Sequence, residues 1–271
     1  RRVPYGLIEK AAKNGCEYLS LGFSFVHGEG IEKAGDPWKL KYLEMSQSAD
    51  DWDECAFEVP EGVLQNCHFL QKLALDNLTL YLREIEQICQ NGKTLRVLSL
   101  EGCNIEFDVH TELFQKLFTT CSQLTELNIY NCNYTLLDRH ICALVDNLAP
   151  NILKLSLGSQ KCIKDEHVNT LVQRCNKITE LDLSGTSITS DSIESIVKHL
   201  NSLEKLDVQF RAEKFERESK YHWDFFYKRN ETKIDVSSIL QLKSNPTLKI
   251  LNCFHGHIYY YGRGQYDSQE K

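Results

Sequence analysis

Cysteine and histidine are the residues of this sequence that could form a catalytic or metal site, but their spacing does not favour either. The chain has 11 cysteines and 9 histidines, yet no two cysteines form the CxxC pair that is typical of zinc sites. His255 and His257 could bind a metal ion, but no third ligand stands at helical spacing from them. No GxSxG nucleophile sequence is present. We therefore expect no catalytic residue, no metal and no cofactor.

Phosphate-binding motifs are also missing. The glycine pairs in the HGEG stretch (27–30) and the GRG stretch (262–264) lack the preceding strand and following helix of a nucleotide-binding loop. They fit turns instead. Arg96 and Arg139 stand in no context that is typical of an arginine finger. These observations argue against a nucleotide-dependent enzyme or a GTPase-activating protein.

Composition narrows the possible partners. A net charge of −7 disfavours general nucleic-acid binding, and no apolar run is long enough to span a membrane. The start of the chain has no apolar signal-peptide segment and no initiator methionine, so we expect that the sequence is a fragment. The odd cysteine count disfavours a disulfide scaffold. Reduced, buried cysteines fit a cytoplasmic and/or nuclear protein.

The elements that would position any site come from a repeat. The pattern L-x-x-L-x-L, with conservative replacements, occurs nine times, and most copies begin 24 to 30 residues apart. The exception is a gap of 45 residues between the last two copies. The copies begin at Cys16, Leu40, Leu70, Leu95, Leu124, Ile152, Ile178, Leu203 and Leu248. Such alternation predicts one short strand in each copy.

Between the strands the apolar period changes to that of a helix. The stripes start at Ile141, Val168 and Ile193 and continue at i+3, i+4 and i+7. Ser190 and Asp191 occupy the expected cap of the last of these helices, with Glu194 in its first turn. Because no single strand–turn–helix unit can bury its apolar face alone, the units must stack. The sequence therefore predicts an α/β solenoid of about nine repeats with a parallel sheet on its concave side.

The cysteines have a structural explanation in this arrangement. Where each strand ends, the turning backbone leaves polar groups inside the solenoid that need partners. Cys103, Cys132 and Thr186 stand at that inward position in three copies. Cys121 and Cys175 stand where helices end. We expect all four cysteines to be structural.

The repeat resembles a known family. The stretches LRVLSLEGCNI, LTELNIYNCNY and ITELDLSGTSI resemble the cysteine-containing subclass of leucine-rich repeats, which is typical of F-box/leucine-rich-repeat proteins. The resemblance covers residues 16–253 and implies a horseshoe-shaped solenoid. It also implies the substrate-recognition part of an SCF-type E3 ubiquitin ligase, in which an F-box holds the ligase adaptor and the repeats hold the substrate.

One feature of that family is not seen in this sequence. Only 15 residues precede Cys16, and they contain no F-box, so we expect adaptor binding only if an F-box lies upstream. The alternative is a stand-alone intracellular inhibitor or adaptor with no connection to ubiquitin. Such inhibitors alternate 28 and 29 residues more strictly than the spacings 25, 29, 28, 26 and 25 found here.

Strand alternation also predicts the partner-binding face. The residues between the inward leucines should point to the concave surface. In that set, acids outnumber lysines seven to three and no arginine occurs. We therefore expect a protein partner with a basic segment, no phosphate pocket, and a monomeric chain. The set comprises Tyr18, Ser20, Tyr42, Glu44, Lys72, Ala74, Asp76, Val97, Ser99, Glu101, Glu126, Asn128, Tyr130, Lys154, Ser156, Glu180, Asp182, Lys205, Asp207, Ile250, Asn252 and Phe254.

The C-terminal end has the densest signals for a site. We divide the chain into a solenoid (1–253), with an insertion at 211–230, and a tail (254–271). The insertion carries five aromatic residues between Tyr221 and Tyr227, which either pack on the solenoid or serve a partner. The tail either caps the stack or forms one side of the groove. The predicted partner-binding residues are Tyr130, Glu180, Asp182, Asp207, Phe254, Tyr259, Tyr260 and Tyr261.

Overall fold

The structure is a computed structural model. It describes residues 2–22, 25–27, 38–46, 59, 63–105, 111–132, 136–209, 213–219, 222–228, 234, 236–242, 245–254 and 256–259. The strands are β1 (Arg2–Pro4), β2 (Tyr18–Gly22), β3 (Phe25–His27), β4 (Tyr42–Ser46), β5 (Lys72–Asp76), β6 (Thr79–Leu80), β7 (Val97–Ser99), β8 (Asn104–Ile105), β9 (Glu126–Asn128), β10 (Lys154–Ser156), β11 (Glu180–Asp182), β12 (Lys205–Asp207), β13 (Glu213–Ser219), β14 (His222–Lys228), β15 (Ile250–Phe254) and β16 (Gly256–Tyr259).

Helices follow the strands along most of the chain. They are α1 (Tyr5–Lys13), α2 (Leu82–Asn91), α3 (Thr111–Thr120), α4 (Asp138–Asn147), α5 (Asp165–Arg174), α6 (Ser190–His199) and α7 (Val236–Gln241). Short 3-10 helices span Leu64–Asn66 and Gly92–Thr94. The segment from β4 to β5 contains only the first of these short helices among its described residues.

One main sheet contains a strand from every predicted repeat. Its order is β16-β15-β12-β11-β10-β9-β7-β5-β4-β2, and each strand from β2 to β15 pairs in parallel with its neighbour. These nine parallel strands confirm the nine predicted copies and the α/β solenoid. Register is strict, so that Leu127 lies beside Leu155 and Leu155 beside Leu181. All three leucines are buried.

The turns after five of the main-sheet strands, β5, β7, β9, β10 and β11, repeat the same left-handed backbone. At five equivalent positions the residue has a positive φ between 59° and 66°. This left-handed conformation is cheapest for glycine and tolerated by asparagine. Asn77, Gly102, Asn131, Ser159 and Gly185 occupy these positions. The sharp turn directs the next side chain into the solenoid.

That inward side chain hydrogen-bonds a carbonyl group that the turn leaves inside. The Cys103 thiol donates to the Leu75 carbonyl of the previous repeat, and the Cys132 thiol donates to the Leu100 carbonyl at 3.0 Å. In the next repeat, Gln160 Nε2 donates to the Ile129 carbonyl of the previous repeat at 2.8 Å. In the repeat after that, Thr186 Oγ1 donates to the Leu183 carbonyl of its own repeat at 2.6 Å. The polar or weakly polar residue at the strand end therefore pairs a buried backbone group.

Helix starts are capped partly by the preceding repeat. The Asp165 carboxylate, in α5, accepts hydrogen bonds from the Thr189 backbone and hydroxyl and from the Ser192 hydroxyl. The cap of α6 is Thr189, whose hydroxyl accepts from the Asp191 backbone. The predicted cap at Ser190 and Asp191 is therefore wrong by one residue. Thr189 gains the role because Asp165 holds it in place, which the local sequence does not show.

The insertion and the tail form strands of their own. The insertion contains an antiparallel strand pair, β13–β14. Its remaining residues lie outside the described part of the chain. The start of the tail, β16, pairs antiparallel with β15 and so extends the main sheet at its C-terminal edge. In this position β16 covers backbone groups of β15 that would otherwise be unpaired at the edge of the sheet.

Replacing the buried thiol of Cys121 by a hydroxyl should destabilise the fold. Cys121 is fully buried and its Sγ fills the space beside Gly92. Burial raises the pKa of Cys121 to about 12. Because a hydroxyl is more costly to bury than a thiol, Cys121→Ser should lower the free energy of unfolding by about 1–3 kcal/mol. The measurement is urea denaturation, with the partly exposed Cys142→Ser as control. An equal loss in both variants would contradict the packing role.

Neutralising Asp165 should have a pH-dependent effect on stability. Burial would raise the pKa of Asp165, but hydrogen bonds from Ser192 and Thr189 outweigh burial and lower it below 3.8. A lowered carboxyl pKa stabilises the fold above the unfolded-state pKa and stops doing so as pH falls through the folded-state value. Because Asp165 also holds the start of α6 through hydrogen bonds, Asp165→Asn should cost about 1 kcal/mol at neutral pH.

The pH series supplies the check. The cost of Asp165→Asn, measured by denaturation, should be constant from pH 7 to pH 5 and shrink below pH 3.8. The exposed Asp146→Asn on α4 is the matched control. A cost that stays the same in acid would show that Asp165 acts only as a neutral hydrogen-bond acceptor.

Candidate protein-binding face

The outer face of the main sheet carries two straight rows of side chains. Parallel register aligns equivalent strand positions, and alternation leaves every second residue outside. The first row is Tyr18, Tyr42, Lys72, Val97, Glu126, Lys154, Glu180, Lys205 and Ile250. The second row is Ser20, Glu44, Ala74, Ser99, Asn128, Ser156, Asp182, Asp207 and Asn252. All are at least partly exposed except Ala74 and Asn252.

The rows enclose a hollow on this face. Its volume is about 550 Å³, and it extends from Ser20 in β2 to Lys205 in β12. Charged and hydroxyl-bearing side chains make up most of its lining. A long polar hollow with an open side suits a protein segment better than a small apolar ligand.

The middle of the first row is an ion-pair ladder. Lys154 Nζ lies 3.6 Å from the Glu126 carboxylate and 3.3 Å from the Glu180 carboxylate. The hydrogen bond to Glu180 and the charge of Glu126 raise the pKa of Lys154. Glu180, one of the predicted partner-binding residues, thus shares a cation with Glu126, and the three side chains carry one net negative charge.

Asp182 and Asp207, also predicted to bind a partner, lie side by side in register. Each holds the turn that follows it, because Asp182 accepts from the Ser184 backbone at 2.9 Å and Asp207 from the Gln209 backbone at 3.0 Å. Their second oxygens accept from the neighbouring repeat, Asp182 from Ser156 and Asp207 from Asn252. The two carboxylates therefore have a structural role that periodicity alone did not indicate.

The Tyr130 ring packs within the solenoid. A Cβ atom placed on Gly158 would lie 2.7 Å from two carbons of the Tyr130 ring, so the ring lies over this glycine of the next repeat. The Ser159 hydroxyl donates to the Tyr130 hydroxyl at 3.2 Å. Tyr130 is partly buried by this packing. Its predicted role in partner binding stays a prediction, limited to the part of the ring that remains exposed.

The predicted tail residues are described only in part. Phe254 ends β15 opposite Gly256, and Tyr259 ends β16 opposite Ile250. Tyr260, Tyr261 and His255 lie outside the described residues. The backbone therefore brings Phe254 and Tyr259 to the C-terminal edge of the same sheet that carries Asp207. Whether they contact a partner stays a prediction.

An aromatic pair lies at the other end of the face. The rings of Tyr18 and Tyr42 are 6.1 Å apart, and Tyr18 is 56% exposed. The Tyr18 hydroxyl donates to Glu44 at 3.1 Å, and Lys72 forms an ion pair with the same carboxylate. These tyrosines belonged to the predicted concave set but not to the predicted site. The sequence of each strand does not show that the two rings lie side by side across two repeats, and this pairing is what makes them a candidate binding surface.

Two acids lie close together at the ends of β5 and β7. Asp76 accepts from the Ser99 hydroxyl at 2.6 Å and from the Glu101 backbone at 3.1 Å. Glu101 accepts from Asn128 at 2.8 Å. Burial raises the pKa of Asp76, and the charges of Glu101 and Glu44 add to the rise while its hydrogen bonds oppose it. Among the described residues, neither Asp76 nor Glu101 has a cation within ion-pair distance.

A second cluster, on the helix side, combines potential metal ligands. Atoms of Asp138, Cys142 and His167 lie within 4.8 Å of one another. However, His167 Nδ1 accepts the Lys164 backbone N–H at 3.1 Å, which places the proton of the neutral ring on Nε2. Nε2 is the atom that faces Asp138 and Cys142, each at 3.6 Å. A metal would need the lone pair of that nitrogen, so the cluster fits a hydrogen-bonded helix start.

Comparisons with known proteins identify a family and one similar solved structure. Residues 6–212 match the family described as the SKP2 LRR domain. The crystal structure of an internalin (inlF) from Listeria monocytogenes str. 4b F2365 is similar at 15% identity with a TM-score of 0.44. That match covers 88% of this chain and 66% of the internalin chain, just under two thirds of its length. No helix in the described ranges is both long and apolar enough to cross a membrane.

Adding a methyl group at Gly158 should displace the Tyr130 ring. The new Cβ would meet ring carbons at 2.7 Å, which real contacts do not allow. Gly158→Ala should therefore lower the free energy of unfolding by about 1–3 kcal/mol. The new Cβ would also lie 2.8 Å from the Ser184 hydroxyl, so part of the cost stays when the ring is removed. In a Tyr130→Ala background the part due to the ring should disappear, as a double-mutant cycle by urea denaturation would show. Gly6→Ala, where the added group meets nothing within 4 Å, is the control. An unchanged cost without the Tyr130 ring would mean that other atoms cause the clash.

Proposed function

The chain belongs to the family of SKP2 LRR domains, and we propose that it is the substrate-recognition part of an SCF-type E3 ubiquitin ligase. In this proposal the concave face holds a protein substrate, and the chain itself catalyses nothing. The observation that carries the proposal is the open face of the main sheet, whose two aligned rows enclose a polar hollow of about 550 Å³. A rigid sheet that presents fixed side chains suits the binding of a protein segment.

The charge of the face supports a partner with a basic segment. Four acids of the face have no ion-pair partner among the residues that the structure describes, so no cation of that part of the chain neutralises their charges. They are Asp76, Glu101, Asp182 and Asp207. Complementary charge speeds association and excludes acidic competitors.

We propose a monomeric chain in the cytoplasm and/or nucleus that binds neither nucleic acid nor membrane. Binding of the ligase adaptor requires an F-box upstream.

The proposed contact residues extend along the face. They are Glu180, Asp182 and Asp207 on the sheet, the exposed part of Tyr130, and Phe254, Tyr259, Tyr260 and Tyr261 at the C-terminal end. Tyrosine is favoured at interfaces because it combines a large contact area with a polar tip. The hairpin β13–β14 and the tail are proposed to border the groove at this end.

Affinity capture with three matched chains tests the proposal. The first is the wild-type chain, and the second carries Asp76→Asn, Glu101→Gln and Glu180→Gln on the concave face, none of which uses both carboxylate oxygens to hold a turn. The third carries Asp146→Asn, Glu166→Gln and Glu194→Gln, which lie exposed on the helix side. Partners should be captured by the first and third chains, and the concave variant should lose at least about tenfold of the captured amount.

The ubiquitin connection needs a separate readout. Partners that depend on the concave face should carry ubiquitin chains in cells, and those chains should disappear when cullin-based ligases are inhibited. Partners that bind the concave face but show no such modification would favour the alternative, a stand-alone adaptor or inhibitor. Capture that is equal for the concave and helix-side variants would contradict binding on this face altogether.

A further inference from the structure

We propose that the N-terminal half of the concave face, formed by Tyr18, Tyr42, Asp76 and Glu101, is a docking surface for an extended basic segment of a protein partner. An aromatic or large apolar side chain of the segment would lie against the two tyrosines. An arginine or lysine four positions away would lie between the two carboxylates. The inference rests on the proposed function, since it identifies what the concave face would hold.

The tyrosine pair supplies the apolar anchor. Tyr18 and Tyr42 are 56% and 37% exposed, and their rings lie 6.1 Å apart, so the two form one aromatic surface. The hydrogen bond from Tyr18 to Glu44 and the ion pair of Glu44 with Lys72 hold the group in place before a partner arrives. A pre-ordered aromatic surface loses little entropy on binding.

Small side chains line the part of the hollow between the tyrosine pair and the two acids. Ala74 and Ser99, the second-row residues of β5 and β7, are small and line the hollow. A peptide backbone can therefore approach the sheet closely at this place. Lys72 does not repel a basic segment strongly, because its charge is paired with Glu44.

The spacing of anchor and acids sets the pattern of the segment. Tyr42 stands at the first and Asp76 at the last of the five positions of two neighbouring strands, β4 and β5. Four residues along a strand correspond to about 13 Å. An extended segment that runs along the strands spans the same distance in four residues, and residues i and i+4 then face the sheet together.

The charged form of Asp76 is unfavourable in the free protein. Burial and the neighbouring carboxylates raise the pKa of Asp76, so its charged form is disfavoured when no partner is present. An asparagine could still accept the hydrogen bonds from Ser99 and the Glu101 backbone, because both are made to one oxygen, Oδ1. The negative charge is therefore not required by the hydrogen bonds that hold the turn. A cationic side chain of a partner would relieve the cost.

The C-terminal half has a different character. Asp182 and Asp207 use both carboxylate oxygens to hold the turns and the neighbouring repeats. Among the described side chains of that half, no exposed aromatic pair comparable to Tyr18 and Tyr42 is found. Among those described side chains, charge is therefore present without an aromatic pair beside it.

Titration by nuclear magnetic resonance tests the inference with defined probes. The isotopically labelled chain would be titrated with glycine–serine peptides that carry phenylalanine and arginine four positions apart, in both orders. Amide shifts should concentrate in β2, β4, β5 and β7. A control peptide has phenylalanine and arginine adjacent, and a second has glutamine in place of arginine. Both should bind at least about tenfold more weakly.

Protein variants test which residues of the face bind the arginine side chain of the peptide. Asp76→Asn should weaken binding of the arginine peptide about tenfold but leave binding of the glutamine peptide unchanged, and its melting temperature should equal or exceed that of the wild type. Tyr18→Ala combined with Tyr42→Ala should weaken both peptides. Asp146→Asn, on the helix side, is the control and should change nothing.

Each other outcome overturns the inference in a distinguishable way. Shifts that concentrate in β11 and β12, with Asp207→Asn more damaging than Asp76→Asn, would move the basic segment to the other half and leave the proposed function intact. No shift on the sheet would exclude this segment pattern, while the capture experiment would still decide the proposed function. Equal binding of the adjacent and spaced peptides would show non-specific charge attraction only.

Discussion

The structure depends on the strict parallel pairing of equivalent residues in successive repeats. A repeat of this size cannot bury its leucines alone, so each strand must lie beside the same positions of its neighbours. Leu127, Leu155 and Leu181 show the result: they follow one another in register, and all are buried. Backbone hydrogen bonds fix that register, and a slip by one residue would turn every leucine outward.

The same constraint explains the cysteines. Stacked turns leave carbonyl groups inside the solenoid, where water cannot reach them. Cys103 and Cys132 donate to carbonyls of the preceding repeats. Burial raises the pKa of Cys132 to about 12, so the thiol stays protonated and keeps its donor. A thiolate could not donate, and the inertness of these groups therefore follows from their position.

Strict register also turns single surface residues into rows. Acids that are far apart in sequence become neighbours, as Asp182 and Asp207 do. Where the neighbour is a lysine, as in the Glu126–Lys154–Glu180 ladder, the charge is partly neutralised. Where it is another acid, as at Asp76 and Glu101, the face keeps its charge at a cost in the free protein. The hydrogen bonds of the acids without a cation distinguish the two halves of the face. Asp76 accepts through one oxygen, whereas Asp182 and Asp207 accept through both.

Much of the fold was determined by the sequence itself. Alternating leucines placed all nine strands, and the cysteines and threonine after them marked the inward turn, because these signals depend only on local periodicity and side-chain size. Contacts between repeats were decided only in the tertiary structure. Thr189 became a helix cap because Asp165 of another repeat binds it, and the Tyr130 ring found its place over Gly158.

The hairpin of the insertion and the antiparallel strand β16 were likewise not evident from local patterns. For the candidate site, the sequence identified the outward positions but not their pairing. Pairing depends on which residues of different repeats become neighbours, and that is set by long-range register. The amino-acid sequence contains the period of the repeats, whereas the charge and shape of the surface arise only when the repeats stack.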